Sequence, residues 1–230
     1  MRLLFILAIF SSFHIQAKTL TVGLIDSRPF VWKENGKYTG FHYEIATQLA
    51  EKMKFQLVVK EAPILRIISM LKKGEVDVII VTDNKELREL NTKKELILEL
   101  DYFLYTLPDQ AITSKKEIRG TIARLSSGCM PLIDYKTINW VDAESYDQAY
   151  GLLKRKRIRA VCGTIAFQIV AQNKAAPKNS DLKSFLISKK GLWVQALPGL
   201  NPAIWSEIQK NMKSLVSDGS VQNAAKKFAK

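Results

Sequence analysis

The chain has 230 residues, with 35 lysines and arginines against 22 acids, a formal charge of +13, and only two cysteines and two histidines. That length can form two lobes of roughly 100 residues, each with its own core. The residue supply leaves out most catalysis and metal chemistry: there is no Cys-x-x-Cys pair, no Gly-x-Ser-x-Gly elbow, no phosphate loop and no dinucleotide fingerprint.

The amino terminus opens with Met1-Arg2, an apolar run over residues 3–10, and a more polar stretch ending at Ala17. This predicts a secretory signal peptide (residues 1–17) cleaved near Ala17, although Ile15 is larger than the small residue usual at its position. The apolar run is too short to span a bilayer, and no later segment approaches 18 apolar residues. Cleavage removes Arg2 and His14, leaving a charge of +12 and the single histidine His42. The excess of cations attracts anions and supports solubility. For an exported chain with no nucleic-acid-binding module, a nucleic-acid partner is not expected.

Apolar strands are predicted over residues 20–24, 56–59 and 76–81, the last apolar on both faces as in a buried parallel sheet. Asn35-Gly36 signals a hairpin. A helix follows Gly40, with Ile45, Ala46, Leu49, Ala50 and Met53 on one face, and Pro63 starts another with the stripe Ile64, Ile67, Ile68 and Leu71. After the polar break Lys115-Lys116-Glu117, strands are predicted at 121–125, 138–141 and 158–162, with helices near 146–153 and 165–172. A strand at 192–196 and helices at 202–217 and 221–230 close the chain. The alternation predicts an α/β protein with mainly parallel sheets.

The order of motifs from residue 20 to 81 resembles the first lobe of the bacterial periplasmic solute-binding proteins of family 3. These motifs are Asp26-Ser27-Arg28-Pro29-Phe30, Gly40-Phe41-His42-Tyr43-Glu44 and Lys73-Gly74-Glu75-Val76-Asp77. The ending Ser217-Asp218-Gly219-Ser220 before a basic helix extends the resemblance over the mature chain. It implies a two-lobe, type II periplasmic-binding-protein fold. Lobe 1 would be residues 18–112 plus 189–230, lobe 2 residues 113–188, and hinge crossings near 110–116 and 186–192. It also implies periplasmic binding of an amino acid or related organic acid by closure of the interlobe cleft, a monomer serving an ABC importer, and no enzyme. The alternatives are a dehydratase-like periplasmic enzyme on the same fold and a sensor or structural protein with a degenerate cleft.

Ligands in such sheets bind beyond the carboxyl ends of the strands, so the candidates follow each strand. After the first come Asp26, Phe30 and Trp32. The resemblance places Phe30 on the ligand; plugging the core is the other reading, and Trp32 stands at the rim or beneath it. Thr82 follows the central strand, and Arg88 is the match for the family's carboxylate-binding arginine, or else a solvated charge. Arg66 is a second arginine candidate. Ser126 and Ser127 match the family's carboxylate-binding hydroxyls and also suit helix caps. Thr164 stands where the family's last lobe-2 strand ends in an aspartate that neutralises the ligand's ammonium. Either another acid, such as Asp26 or Asp101, replaces it, or the ligand is anionic and lacks the amine; the basic balance tips toward the second. His42 is read as a helix-start or surface residue. Cys129 and Cys162 fall at neighbouring strand ends, as a disulfide or as two buried thiols. No metal or cofactor is expected. The run Lys154-Arg155-Lys156-Arg157 with Arg159 reads as a solvated surface or a contact for anionic lipid or a partner.

Overall fold

The computed structural model describes residues 18–26, 28–125, 129, 135–174 and 181–228. The predicted signal segment and both Ser126 and Ser127 lie outside them. The chain begins with β1 (Thr19–Ile25), the hairpin β2 (Trp32–Glu34) and β3 (Lys37–Thr39), and α1 (Phe41–Met53). Asn35 and Gly36 both take positive φ, 50° and 76°, the pair of left-handed residues that a tight two-residue hairpin turn requires. The stripe Ile45, Ala46, Leu49, Ala50 and Met53 is buried as its periodicity predicts, and Lys54 ends α1 in the left-handed conformation. Then follow β4 (Gln56–Ala62), α2 (Ile64–Lys72), β5 (Val78–Thr82) and the short α3 (Lys85–Glu89).

Next comes a strand the sequence reading did not anticipate, β6 (Lys93–Thr106). The second half holds β7 (Gly120–Leu125), β8 (Ile138–Ala143), α4 (Tyr146–Lys154), β9 (Ala160–Gly163) and α5 (Ile165–Lys174). β10 (Lys183–Ala196) begins well before the expected residue 192, and α6 (Pro202–Ser217) and α7 (Ser220–Phe228) finish the described chain. No helix among the described residues is long and apolar enough to cross a membrane.

Eight strands join in the order β4-β1-β5-β10-β6-β9-β7-β8. β1 pairs in parallel with β4 and β5, and β7 with β8 and β9. β6 and β10 run antiparallel along their whole lengths and tie the two parallel groups together. The carboxyl end of β10 pairs with β5, and the carboxyl end of β6 with β9 through Phe103, Leu104 and Tyr105. The chain therefore crosses between the halves inside these two strands. Residues 110–116, expected as one crossing, instead hold parts of two 3-10 turns, Pro108–Gln110 and Lys115–Glu117, and already belong to the second half, whose core takes Ile112 and Ile118.

Apolar cores flank each group of strands. The first half buries α1, α6 and α7 against Leu20, Val22, Leu24, Val78 and Ile80 on one face, and α2 against Ile79 and Val81 on the other. The second half buries α4 and α5 around Phe167 and Leu153, and packs Ile122, Ile138 and Cys162 on the opposite face. The strands' carboxyl ends, from both halves, face one shared cavity.

Candidate functional site

This cavity is about 370 Å³, the size of a small-molecule site. The first half lines it with Ile25 and Asp26 at the end of β1, Pro63 and Ile64 at the start of α2, and Thr82, Asp83 and Asn84 at the end of β5. The second half contributes Leu125, Glu144 and Cys162-Gly163-Thr164, and the crossing strands add Tyr102, Lys190 and Leu192. Helix starts and strand ends converge there because parallel strands deliver their carboxyl ends to one side.

Lys190 is the one Lys or Arg lining the cavity among the described residues. Burial pushes its ammonium pKa down, and the charge of Arg88 adds to that while Asp83 opposes it. Its Nζ sits 5.8 Å from the centre of the Tyr102 ring. Three carboxylates share the wall: Asp26, Asp83 and Glu144. Asp83 Oδ2 accepts from Arg88 at 3.2 Å and pairs with Lys94 at 3.6 Å, whereas its Oδ1 is buried without a hydrogen-bond donor among the described residues. Buried acceptors left in this state are strong sites for a cationic donor. Hydroxyls complete the wall. Thr82 and Tyr102 both line it, and burial raises the Tyr102 phenol pKa while Thr82 opposes the shift. Thr164 Oγ1 accepts from the Ala166 amide at 3.3 Å at the start of α5, and the Tyr146 hydroxyl contacts Thr164.

His42 lies in the same wall, 4 % exposed, and neither ring nitrogen has a protein partner among the described residues. It stacks on Phe30 with ring centres 4.8 Å apart and planes at 27°. A surface role is thus corrected: the turn Gly40-Phe41-His42 is pinned to Pro29 and Phe30 by the bonds Phe41 N–H to Pro29 O, 3.1 Å, and His42 N–H to Phe30 O, 2.9 Å, which carry the imidazole inward. Burial pushes its pKa down to about 3 from 6.5, so the ring is neutral at physiological pH. Above pH 6.5 neither folded nor unfolded chain binds this proton, and nothing is lost. Between 6.5 and about 3 the unfolded chain binds it and the folded chain does not, so stability falls as pH drops, by about 2 kcal/mol at pH 5. Urea titrations at pH 7.5 and 5 should show this loss shrinking in His42→Phe; equal losses in both proteins would exclude His42 as the cause.

Of the residues expected from sequence, the cavity brings together Asp26, Phe30, Thr82 and Thr164. It does not include Trp32, which packs edge-on to Phe228 at 6.0 Å with the Arg28 guanidinium 5.1 Å from its ring centre. Arg66 is exposed on α2, and Arg88, half exposed on α3, is held on Asp83. Asp101 lines a separate apolar groove and pairs with Lys189 at 3.3 Å. A disulfide joins Cys129 and Cys162, both buried, and stitches the segment after β7 to β9 in the cavity wall. Sequence reasoning passed over Lys190, Asp83, Glu144, Tyr102, Tyr146 and the inward turn of His42.

The comparisons with known proteins agree with this architecture. The GluR0 ligand-binding core in complex with L-glutamate superposes with a TM-score of 0.80 at 16% identity, over 94% of this chain and 100% of that one. A mutant of ArgBP from T. maritima superposes with a TM-score of 0.74 at 22% identity, over 91% of this chain and 94% of the other. The ancestral amino acid-binding protein AncCDT-1, a precursor of cyclohexadienyl dehydratase, gives 0.72 at 20% identity, covering 92% and 95%. The arginine-binding extracellular protein ArtP of Bacillus subtilis (strain 168) is 25% identical over 105 residues, which is 45% of this chain and 41% of that relative. The family model for bacterial extracellular solute-binding proteins, family 3, matches residues 20–230. With that match spanning nearly the whole chain, and a cavity built from both groups of strands, the chain belongs to the bacterial extracellular solute-binding proteins, family 3.

Proposed function

We propose that this chain is a periplasmic receptor, exported by a signal peptide cut near Ala17, that closes on one zwitterionic amino-acid-type solute and presents it to an ABC importer. It works as a monomer and without catalysis. The two lobes swing on β6 and β10, where the chain crosses between them, and contacts complete only in the closed form shift the open–closed equilibrium. The observation that carries this reading is the charge set of the cavity, one lysine against three carboxylates among the described residues.

Lys190 receives the ligand's carboxylate, with the hydroxyl of Thr82 beside it. The unsatisfied Oδ1 of Asp83, together with Glu144, receives the ammonium that Thr164 cannot neutralise. An ammonium left without a counter-charge would cost several kcal/mol, a large part of the roughly 8 kcal/mol of a micromolar complex. The overall basicity of the chain points to an anionic ligand; the cavity's own balance favours a zwitterion. ArtP is described as arginine-binding and the GluR0 core holds L-glutamate, both α-amino acids, which supports the same class here.

A thermal-shift screen followed by calorimetry tests this with amino acids, dicarboxylates and aromatic acids. A cognate amino acid at a hundred times its dissociation constant should stabilise the fold by about 2.7 kcal/mol. Hits confined to acids without an amine would overturn the zwitterion assignment, and silence across all three classes would overturn solute binding.

A further inference from the structure

Three loops of the second half meet at the edge opposite the cavity. Because β7, β8 and β9 are parallel, the segments that enter them converge on one pole. Residues 115–119 bring Lys115, Lys116 and Arg119 before β7, Lys136 precedes β8, and the run Lys154-Arg155-Lys156-Arg157 with Arg159 precedes β9. Contacts between the loops hold them together: the Arg159 amide donates to Thr121 O at 2.8 Å, an Arg159 guanidinium N–H to Arg119 O at 3.5 Å, and Thr137 Oγ1 to Ile118 O at 3.2 Å. Nine of the chain's 35 cationic residues therefore share one pole, and all except Arg159 are exposed.

Among the described residues the neighbouring carboxylates are few. Asp109 pairs with Lys156 at 2.5 Å, and Glu117, hydrogen-bonded by Thr113 and Ser114, offsets the charge of Arg159. Lys154 and Arg155 suit the negative end of α4, but that accounts for neither Arg157 nor the Lys115-Lys116 pair. With β7 six residues long, the pole stands about 20 Å from the cavity, more than two screening lengths at physiological salt, so it serves a different partner from the solute.

We infer that this pole is a docking surface for an anionic phospholipid bilayer. The choice of a bilayer rests on what the surface lacks. None of the large exposed apolar side chains among the described residues, Val58, Leu65, Leu96, Ile165 and Leu186, lies in these loops. Protein interfaces have an apolar core and are depleted in lysine, whereas a lipid surface is a diffuse sheet of phosphate charge that long cationic side chains can meet without shape complementarity. The attraction is electrostatic and additive per charge, so it is reversed by salt.

The test is co-sedimentation of the full mature chain with phosphatidylcholine vesicles, with and without about one-third phosphatidylglycerol. Binding is expected only to the anionic vesicles and should be abolished by about 0.5 M salt. The triple variant Lys154→Gln, Arg155→Gln, Arg157→Gln, which leaves the Lys156–Asp109 pair intact, should bind about a hundredfold more weakly. A control removing Lys54, Lys72 and Lys73 from the corresponding edge of the first half should stay within roughly threefold of the parent. Should the triple variant lose its thermal transition, the single Arg157→Glu replaces it, with a loss of about tenfold or more expected. Equal losses in variant and control would reduce the effect to net charge and overturn the assignment. So would indifference to phosphatidylglycerol, or retention on heparin without vesicle binding.

Discussion

Lys190→Gln is expected to weaken the cognate amino acid about a hundredfold while leaving the folded chain at least as stable. A charge-assisted bond from an ammonium to a carboxylate in a partly dry cavity contributes up to about 3 kcal/mol, and glutamine retains a donor but not the charge. The stability half of the expectation has a separate cause. Burial and the nearby Arg88 disfavour the charged form of Lys190 in the fold. Below its lowered pKa the ammonium is present in both folded and unfolded chains but is poorly accommodated only in the former, so its removal relieves a cost. Calorimetric titration with the amino acid that stabilises the parent most, alongside thermal melting, reads both. An affinity within about threefold of the parent would remove Lys190 from the site.

Gly40→Ala should lower stability by about 3 kcal/mol or more, a fall of about 10 °C in Tm for a chain of this size. Gly40 has φ 118° and ψ 165°, a region that only glycine occupies at low cost. A Cβ built there would stand 2.4 Å from Phe30 O and 2.9 Å from Val31 Cα. Phe30 O cannot retreat without losing the His42 amide, so strain, clash and a broken hydrogen bond arrive together. Gly36 separates these contributions: its φ is also positive, at 76°, but no atom stands within 4 Å of its Cβ position. Gly36→Ala should therefore cost about 1 kcal/mol of backbone strain alone. Equal melting temperatures for the two variants would show that the Gly40 contact is not tight. Since Phe30 and His42 both line the cavity, Gly40→Ala should also weaken the ligand, which Gly36→Ala should not.

The parts legible in the sequence are those whose surroundings stay constant along an element. The α1 stripe faces one core from end to end, β5 is buried on both faces, and Asn35-Gly36 fixes its own turn. The same consistency located Asp26, Phe30, Thr82 and Thr164, because each follows a strand whose direction the parallel pattern determines.

β6 escaped because it changes environment midway. Residues 93–96 alternate between partly buried and exposed positions and Ile97 is buried in the first half, while Leu104, Tyr105 and Thr106 are all buried in the second. Lys190 escaped because Lys189-Lys190-Gly191 reads as a polar break. Period-two alternation from Ala196 back through Val194 and Leu192 would have placed Lys190 on the inward side, since those three belong to the core. Net charge does not say where the cations stand: many lie at the far pole of the second half, while the described wall of the cavity carries three carboxylates.

The position of β10 governs how the chain can be assembled. It lies between β5 and β6, so the strand that joins those two is missing until residue 196 has been synthesised. Every shorter nascent fragment offers two unpaired edges, which keeps folding non-local and late. For the exported receptor proposed above, this delay would keep the chain open for passage through a translocation channel. The same arrangement predicts that neither half, cut out alone, forms a cooperative unit.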